Sequence, residues 1–152
     1  MKKTFIYNRS ASYHYQLTEK FEVGLVLLGS EVKSLRCHRG SLAEAYIIHR
    51  DGELFLHKSH IPEYASSSIQ NHTPLRERKI LMHKRQIRRI IGHVTRKGMT
   101  AIPIKVYENK KGLIKMEIAL ALGLKKHDKR QVIKEKEWDR EKHRILKQSY
   151  RL

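Results

Sequence analysis

The stretch Phe21 to Arg36, FEVGLVLLGSEVKSLR, constrains the fold more than any other. Phe21, Val23, Leu25 and Leu27 alternate with Glu22, Gly24 and Val26, which is the period of a strand with one face in a core. Gly29 breaks that strand, Ser30 is placed to cap a helix, and Glu31 falls in the first turn, where a helix favours negative charge. Val32 and Leu35 share one helical face, while Lys33 and Arg36 share another. A hydrophobic strand therefore leads into a short helix that turns cations to solvent. A packed β-core with basic groups at its rim is the theme of the whole chain.

The rest of the sequence repeats that theme. Tyr13, Tyr15 and Leu17 alternate and begin the first strand, after a short polar start in which Asn8 and Arg9 are expected on the surface. Gly40 ends the segment after the short helix. Asp51-Gly52, between Ala43–Arg50 and Glu53–His57, is a strong hairpin signal. Pro62 to Pro74 is polar and serine-rich and reads as a loop. Ile80, Ile87, Ile91 and Val94 then step along one helical face, with Lys97-Gly98 closing that helix. Thr100–Tyr107 and Leu113–Leu122 alternate on either side of the Asn109–Gly112 turn, placing Ile102, Ile104 and Val106 on one side and Ile114, Met116, Ile118 and Leu120 inward. Pro103 within a strand points to an edge or an irregular position.

Several short antiparallel strands with small helices between them are best closed as a barrel. The expected fold is thus mainly β with short helices: an OB-like antiparallel barrel of about six strands over residues 1–123. An open sheet with helices on one face is the alternative. From residue 124 to 152 there are eleven Lys or Arg, five acids and only scattered large apolar groups. That segment reads as a basic tail, disordered alone and helical on a polyanionic surface. A helix packed on the body is the other reading.

Charge narrows the function. The 33 Lys and Arg against 15 Asp and Glu give a formal net charge of +18, which repels itself and fits a polyanionic partner, most often nucleic acid. An anionic membrane would need a wide apolar helical face, and none is evident. Basic groups gather at Lys33 and Arg36, at Arg85–Lys97 and at Lys115–Arg130, and Tyr13, Tyr15 and Tyr107 could stack on bases. Each tyrosine alone is more often a half-buried packing residue, and the combination is what favours RNA. Cys37 is the only cysteine, so neither an internal disulfide nor a CxxC pair is available, and no histidine pair has helical metal-ligand spacing. No metal or other cofactor is expected. The sequence carries no nucleophile elbow, Walker loop or dinucleotide fingerprint, so catalysis is not expected either. The amino-terminal residues lack an apolar signal core, which points to a soluble, cytoplasmic protein.

Phe21–Gly24, Gly29–Arg36, Asp51–Glu53, Arg78–His83, Arg96–Gly98 and His127–Arg130 occur in order, and together they resemble the small protein B (SmpB) family, bacterial partners of transfer-messenger RNA. The resemblance runs from Asn8 to about Leu146. It implies an OB-type barrel that binds the tRNA-like domain of that RNA and carries it into ribosomes stalled without a usable codon. The barrel would replace the missing anticodon arm, and the tail would enter the empty mRNA channel and turn helical there. Partners implied are transfer-messenger RNA and the ribosome, through 16S and 23S ribosomal RNA. Elongation factor Tu and alanyl-tRNA synthetase would be met only indirectly, through the charged RNA. The protein itself is expected to act as a monomer.

Carried over by motif, the RNA-contacting residues are Glu22, Leu81 and Lys115, with Lys33, Arg36, Arg96 and Lys97 assigned to the same RNA. Contacts to the decoding centre and ribosome fall to Tyr13 or His14, to Lys125, Lys126, Asp128, Lys129 and Arg130, and to Trp138, Ile145 and Leu146. Three positions depart from the family pattern. Tyr13 stands where a histidine is usual, Ser30 replaces a tryptophan, and Leu122-Gly123-Leu124 lacks the usual flanking cations. A permanently RNA-bound ribosomal protein and an RNA-processing enzyme are the competing classes.

Overall fold

The computed structural model describes residues 3–66, 70–124 and 126–149. The elements are β1 (Lys3–Tyr7), α1 (Ala11–His14), β2 (Tyr15–Leu25), α2 (Gly29–Arg36), β3 (Tyr46–Arg50), β4 (Glu53–His57), β5 (Arg78–Leu81), α3 (Lys84–Lys97), β6 (Thr100–Glu108), β7 (Ile114–Gly123) and α4 (Lys126–Ser149). Every pairing is antiparallel, in the order β1-β6-β3-β4-β5-β2-β7, and β6 also pairs with β7. That last pairing closes six strands into a ring. β1 lies outside it, on the edge of β6 that also meets β3. Closure removes the free edges that would otherwise invite aggregation. The ring is not a regular barrel, because β3 meets β6 at one register pair, Ile47 with Ala101, and β1, β2 and β6 each carry a register shift.

Local chemistry accounts for the joints. Asp51 and Gly52 both take positive φ, 53° and 72°, which is the geometry a two-residue hairpin needs to match strand twist. Asn109 Oδ1 accepts from the N–H groups of Lys111 and Leu113, and Gly112 supplies a φ of 75° for the β6–β7 turn. α2 starts two residues earlier than the Ser30 cap expected from sequence would place it. Leu28 is its N-cap, and the Leu28 N–H donates to Glu31 at 2.8 Å. Ser30 instead lies within the helix, its hydroxyl 2.8 Å from His72 Nδ1.

The main core fills the ring with residues from every strand and with Leu35 of α2 and Ile87 and Ile90 of α3. Ile80 belongs to β5 rather than to the helical stripe, and Ile90 takes the inward position it was expected to hold. A smaller cluster under α1 joins Ala11, Ile102, Ile104, Ala119 and Ala121. The register shift between Pro103 and Lys105 explains this division: Ile102 and Ile104 face the small cluster, whereas Val106 returns to the main core. Asn8 is likewise buried, not exposed, because its Nδ2–H donates to the Pro103 carbonyl at 3.0 Å beside that irregularity.

The tail is described as α4, a 24-residue helix. Near its middle, side-chain contacts from Lys136 and Arg140 reach α1.

Candidate nucleic-acid interface

Three of the residues singled out by sequence converge on Gly24. Its register partners are Leu81 on β5 and Lys115 on β7, so the three strands carry Leu81, Gly24 and Lys115 side by side on one face. Glu22 lies two residues back on that face, opposite Glu117. The missing side chain at Gly24 matters, since a Cβ there would lie 3.2 Å from Leu81 Cβ. Leu81 is half exposed and Glu22 exposed, so the face offers solvent an apolar side chain, a carboxylate and an ammonium.

Around this centre the charges are arranged. Lys20 and Lys105 approach the two oxygens of Glu117 at 3.5 and 3.4 Å. The Tyr107 hydroxyl reaches across β7 and donates to the Glu22 carboxylate. Tyr107 is 1% exposed, so it cannot stack on a base as the sequence suggested; it orients Glu22 instead. Burial, together with the hydrogen bond and charge of Glu22 and the charge of Glu117, pushes the Tyr107 phenol well above its ordinary range. The hydroxyl is therefore a fixed donor. A carboxylate held this way can accept from base amino groups, and the adjacent cations can meet phosphate.

The basic rim is spread over two helices. Lys33 and Arg36 project from α2, where Arg36 pairs with Glu108 at 3.2 Å and the Lys33 ammonium lies 5.7 Å from the Tyr64 ring centre. Arg96 and Lys97 end α3 and are exposed; with Arg88, Arg89 and His93 they surround the open space at Gly92. Arg89 is tied to Glu19 at 3.0 Å, which fixes the exposed face of α3 to β2.

Tyr13 and His14 lie on α1, not in the first strand. His14 and Lys129 line one cavity of about 360 Å³ with Asn8, Tyr15 and Tyr46, while Arg130 is exposed. Trp138, Ile145 and Leu146 are each more than half exposed along α4, and the Lys142 ammonium lies 5.6 Å from the Trp138 ring centre. Lys125 and the side chains of Lys126 and Asp128 fall outside the described residues.

Sequence reasoning missed the buried support under α2. Glu31 and Arg78 are both fully buried, with Arg78 Nε donating to Glu31 at 2.8 Å and a second guanidinium, Arg76, donating to both Glu31 oxygens. Arg78 spends its remaining donors on Ser59 and on the carbonyls of Arg76 and Pro74. The alternation of Arg78 and Ile80 as buried positions of β5 was the available signal.

An antiparallel ring of strands with a cation-rich exterior and a basic terminal helix defines a small β-ring protein suited to a polyanion. Residues 5–148 match the family model described as SmpB protein, and the chain belongs to the SmpB family. Similar curated relatives carry the name SsrA-binding protein. That of Neorickettsia sennetsu is 49% identical over 142 residues, covering 93% of this chain and 97% of the relative. That of Wolbachia pipientis wMel is 47% identical over 140 residues, covering 92% and 94%. A solved structure described as "tmRNA-SmpB: a journey to the center of the bacterial ribosome" superposes with a TM-score of 0.68 at 37% identity, covering 84% of this chain and 93% of that one.

Proposed function

We propose that this protein binds the tRNA-like domain of transfer-messenger RNA (SsrA) and delivers it to stalled ribosomes for trans-translation. The observation that carries this reading is the register at Gly24, which gathers Glu22, Leu81 and Lys115 onto one face of a chain whose relatives are named for binding SsrA. Lys115 meets phosphate, Glu22 accepts from base edges, and Leu81 packs against the RNA. Lys33, Arg36, Arg96 and Lys97 extend the same contact along the backbone. The ring stands in for the missing anticodon arm. Tyr13 or His14, the cations at 125, 126, 129 and 130 with Asp128, and Trp138, Ile145 and Leu146 meet the decoding centre and the empty mRNA channel. Elongation factor Tu and alanyl-tRNA synthetase act on the charged RNA, not on this protein. The role is that of a monomeric cytoplasmic adaptor that makes and breaks no covalent bond; no described helix is long and apolar enough to cross a membrane.

The test is binding of the purified protein to transfer-messenger RNA and to an unrelated RNA of equal length, across a salt series. Preference for transfer-messenger RNA that survives moderate salt supports the adaptor. Equal binding that vanishes with salt leaves charge alone and removes the reading.

A further inference from the structure

α3 carries its charge on a face that the core does not use. Its sequence, KRQIRRIIGHVTRK, holds six Lys or Arg and no acid. Ile87 and Ile90 are buried, and Ile91 and Val94 pack against the main core, so the apolar side of the helix faces inward. Arg85, Arg88, Arg89, Arg96 and Lys97 are exposed. Arg96 and Lys97 suit the negative end of the helix dipole. Arg85, Arg88 and Arg89 do not, since they lie in the first half and crowd one another at three- and four-residue spacing.

Gly92 stands in the middle of this face, four residues from both Arg88 and Arg96. Glycine inside a helix is less stable there than alanine. Nothing in the fold asks for it: its φ is not positive, and an added Cβ would meet no atom within 4 Å. The missing side chain instead opens a hollow of about 330 Å³ lined by Arg88, Arg89, Gly92, His93, Arg96 and Lys97. A bare turn of helix is thus reachable from solvent between two arginines about 12 Å apart along the axis.

A ligand for this hollow must be anionic, slim enough to lie against a bare helical turn, and charged at intervals along a line. A bilayer fails, because α3 keeps its apolar side chains in the core. A strand of phosphodiesters meets all three conditions, and guanidinium groups bind phosphate through paired N–H donors. We propose that the Gly92 hollow is a seat for the backbone of an RNA strand, with one phosphate against the Gly92 turn between Arg88 and Arg96, and Lys97 on the next. Arg89, held by Glu19 at 3.0 Å, forms the fixed wall. α3 begins three residues after Leu81, so a strand bound at the Gly24 face reaches the seat by following the helix for about 12 Å. The seat rests on the RNA-binding reading, which already gives Arg96 and Lys97 to RNA; it adds Arg88 and the glycine and states where the strand lies.

Gly92→Leu fills the hollow without changing charge. Leucine is the better helix former, so the melting temperature should equal or exceed that of the wild type. Affinity for transfer-messenger RNA should nevertheless fall about tenfold, and the slope of log affinity against log salt by about 1. Arg88→Gln should lower the slope by the same amount. Lys3→Gln/Arg9→Gln removes two exposed cations outside the hollow and should leave affinity and slope near the wild-type values. A folded Gly92→Leu variant that binds like the wild type overturns the seat, and so does a loss in the Lys3→Gln/Arg9→Gln control as large as that of Arg88→Gln. If Gly92→Leu fails to fold, Gly92→Ala and Arg88→Gln decide: weaker binding by both supports the seat, and wild-type binding by either overturns it. Wild-type protein that binds unrelated RNA as well as transfer-messenger RNA, with Gly92→Leu weaker on both, keeps the seat and removes the transfer-messenger RNA reading.

Discussion

Arg78 holds Glu31 at 2.8 Å with neither side chain reaching solvent, so the base of α2 rests on a buried ion pair and not on apolar packing alone. Two charges taken out of water are tolerable only while both are present and hydrogen-bonded. Glu31→Gln or Arg78→Met strands the remaining charge, and the expected cost is about 3–5 kcal/mol of folding stability. Urea denaturation followed by circular dichroism measures it, and a loss below about 1 kcal/mol, the scale of an exposed pair, would contradict the buried geometry.

The same pair sets a pH dependence. Burial by itself would raise the Glu31 pKa, but hydrogen bonds from Arg76 and the Leu28 N–H and the charges of Arg78 and Arg76 outweigh it, so the carboxyl lies below its ordinary value of 4.5. In acid the unfolded chain therefore binds the proton first, and stability falls as pH drops below 4.5 through the lowered folded value. The stability gap between wild type and Glu31→Gln should be full at neutral pH and shrink in that acid window. Denaturation midpoints from neutral pH down to the acid limit decide it.

Lys115 and Glu22 share a face but should fail differently. Lys115→Ala removes a phosphate contact, so affinity for transfer-messenger RNA falls and the slope of log affinity against log salt drops by about 1. Glu22→Ala leaves that slope unchanged and reduces the preference over unrelated RNA by about 1–3 kcal/mol, the range of a base contact. Titrations of both variants at several salt concentrations separate the two. Identical behaviour would dissolve the distinction.

Tyr107→Phe tests the positioning of Glu22. Phenylalanine stacks on bases as well as tyrosine does, so a stacking role predicts no loss of RNA affinity. Because Tyr107 is buried and donates to Glu22, the expected outcome is a partial copy of the Glu22→Ala defect, with a stability loss of about 0.5–1.5 kcal/mol.

What the sequence disclosed follows from which signals are local. Alternation in Phe21–Leu25 and Ile114–Leu120, the Asp51-Gly52 turn and the amphipathic Lys84–Lys97 stretch are local, and each element formed. β1 and β5 escaped notice because four or five residues with a cation at the start carry too little alternation, and both gain their stability from strands distant in sequence. The convergence on Gly24 was legible only as separate motifs; it takes the register of three strands to place Leu81 and Lys115 on either side of one glycine. The burial of Tyr107 and Arg78 was hidden for a related reason, since a polar side chain reads as exposed until its buried partner is known.

Ile145 and Leu146 are apolar and more than half exposed near the end of a helix rich in charge, beyond the α1 contacts at Lys136 and Arg140. Exposed neighbours of this kind add little to the fold, so Ile145→Ala/Leu146→Ala should leave thermal stability within about 0.5 kcal/mol of wild type. The Gly24 face lies on the ring, so affinity for transfer-messenger RNA should also be unchanged. If the distal half of α4 docks on ribosomal RNA, tagging of stalled nascent chains in a reconstituted translation system should collapse despite normal RNA binding. A double variant that loses transfer-messenger RNA affinity would put the tail on that RNA instead. One that still tags at the wild-type rate would remove the apolar pair from the mechanism and leave the ribosome contact to the cations of α4.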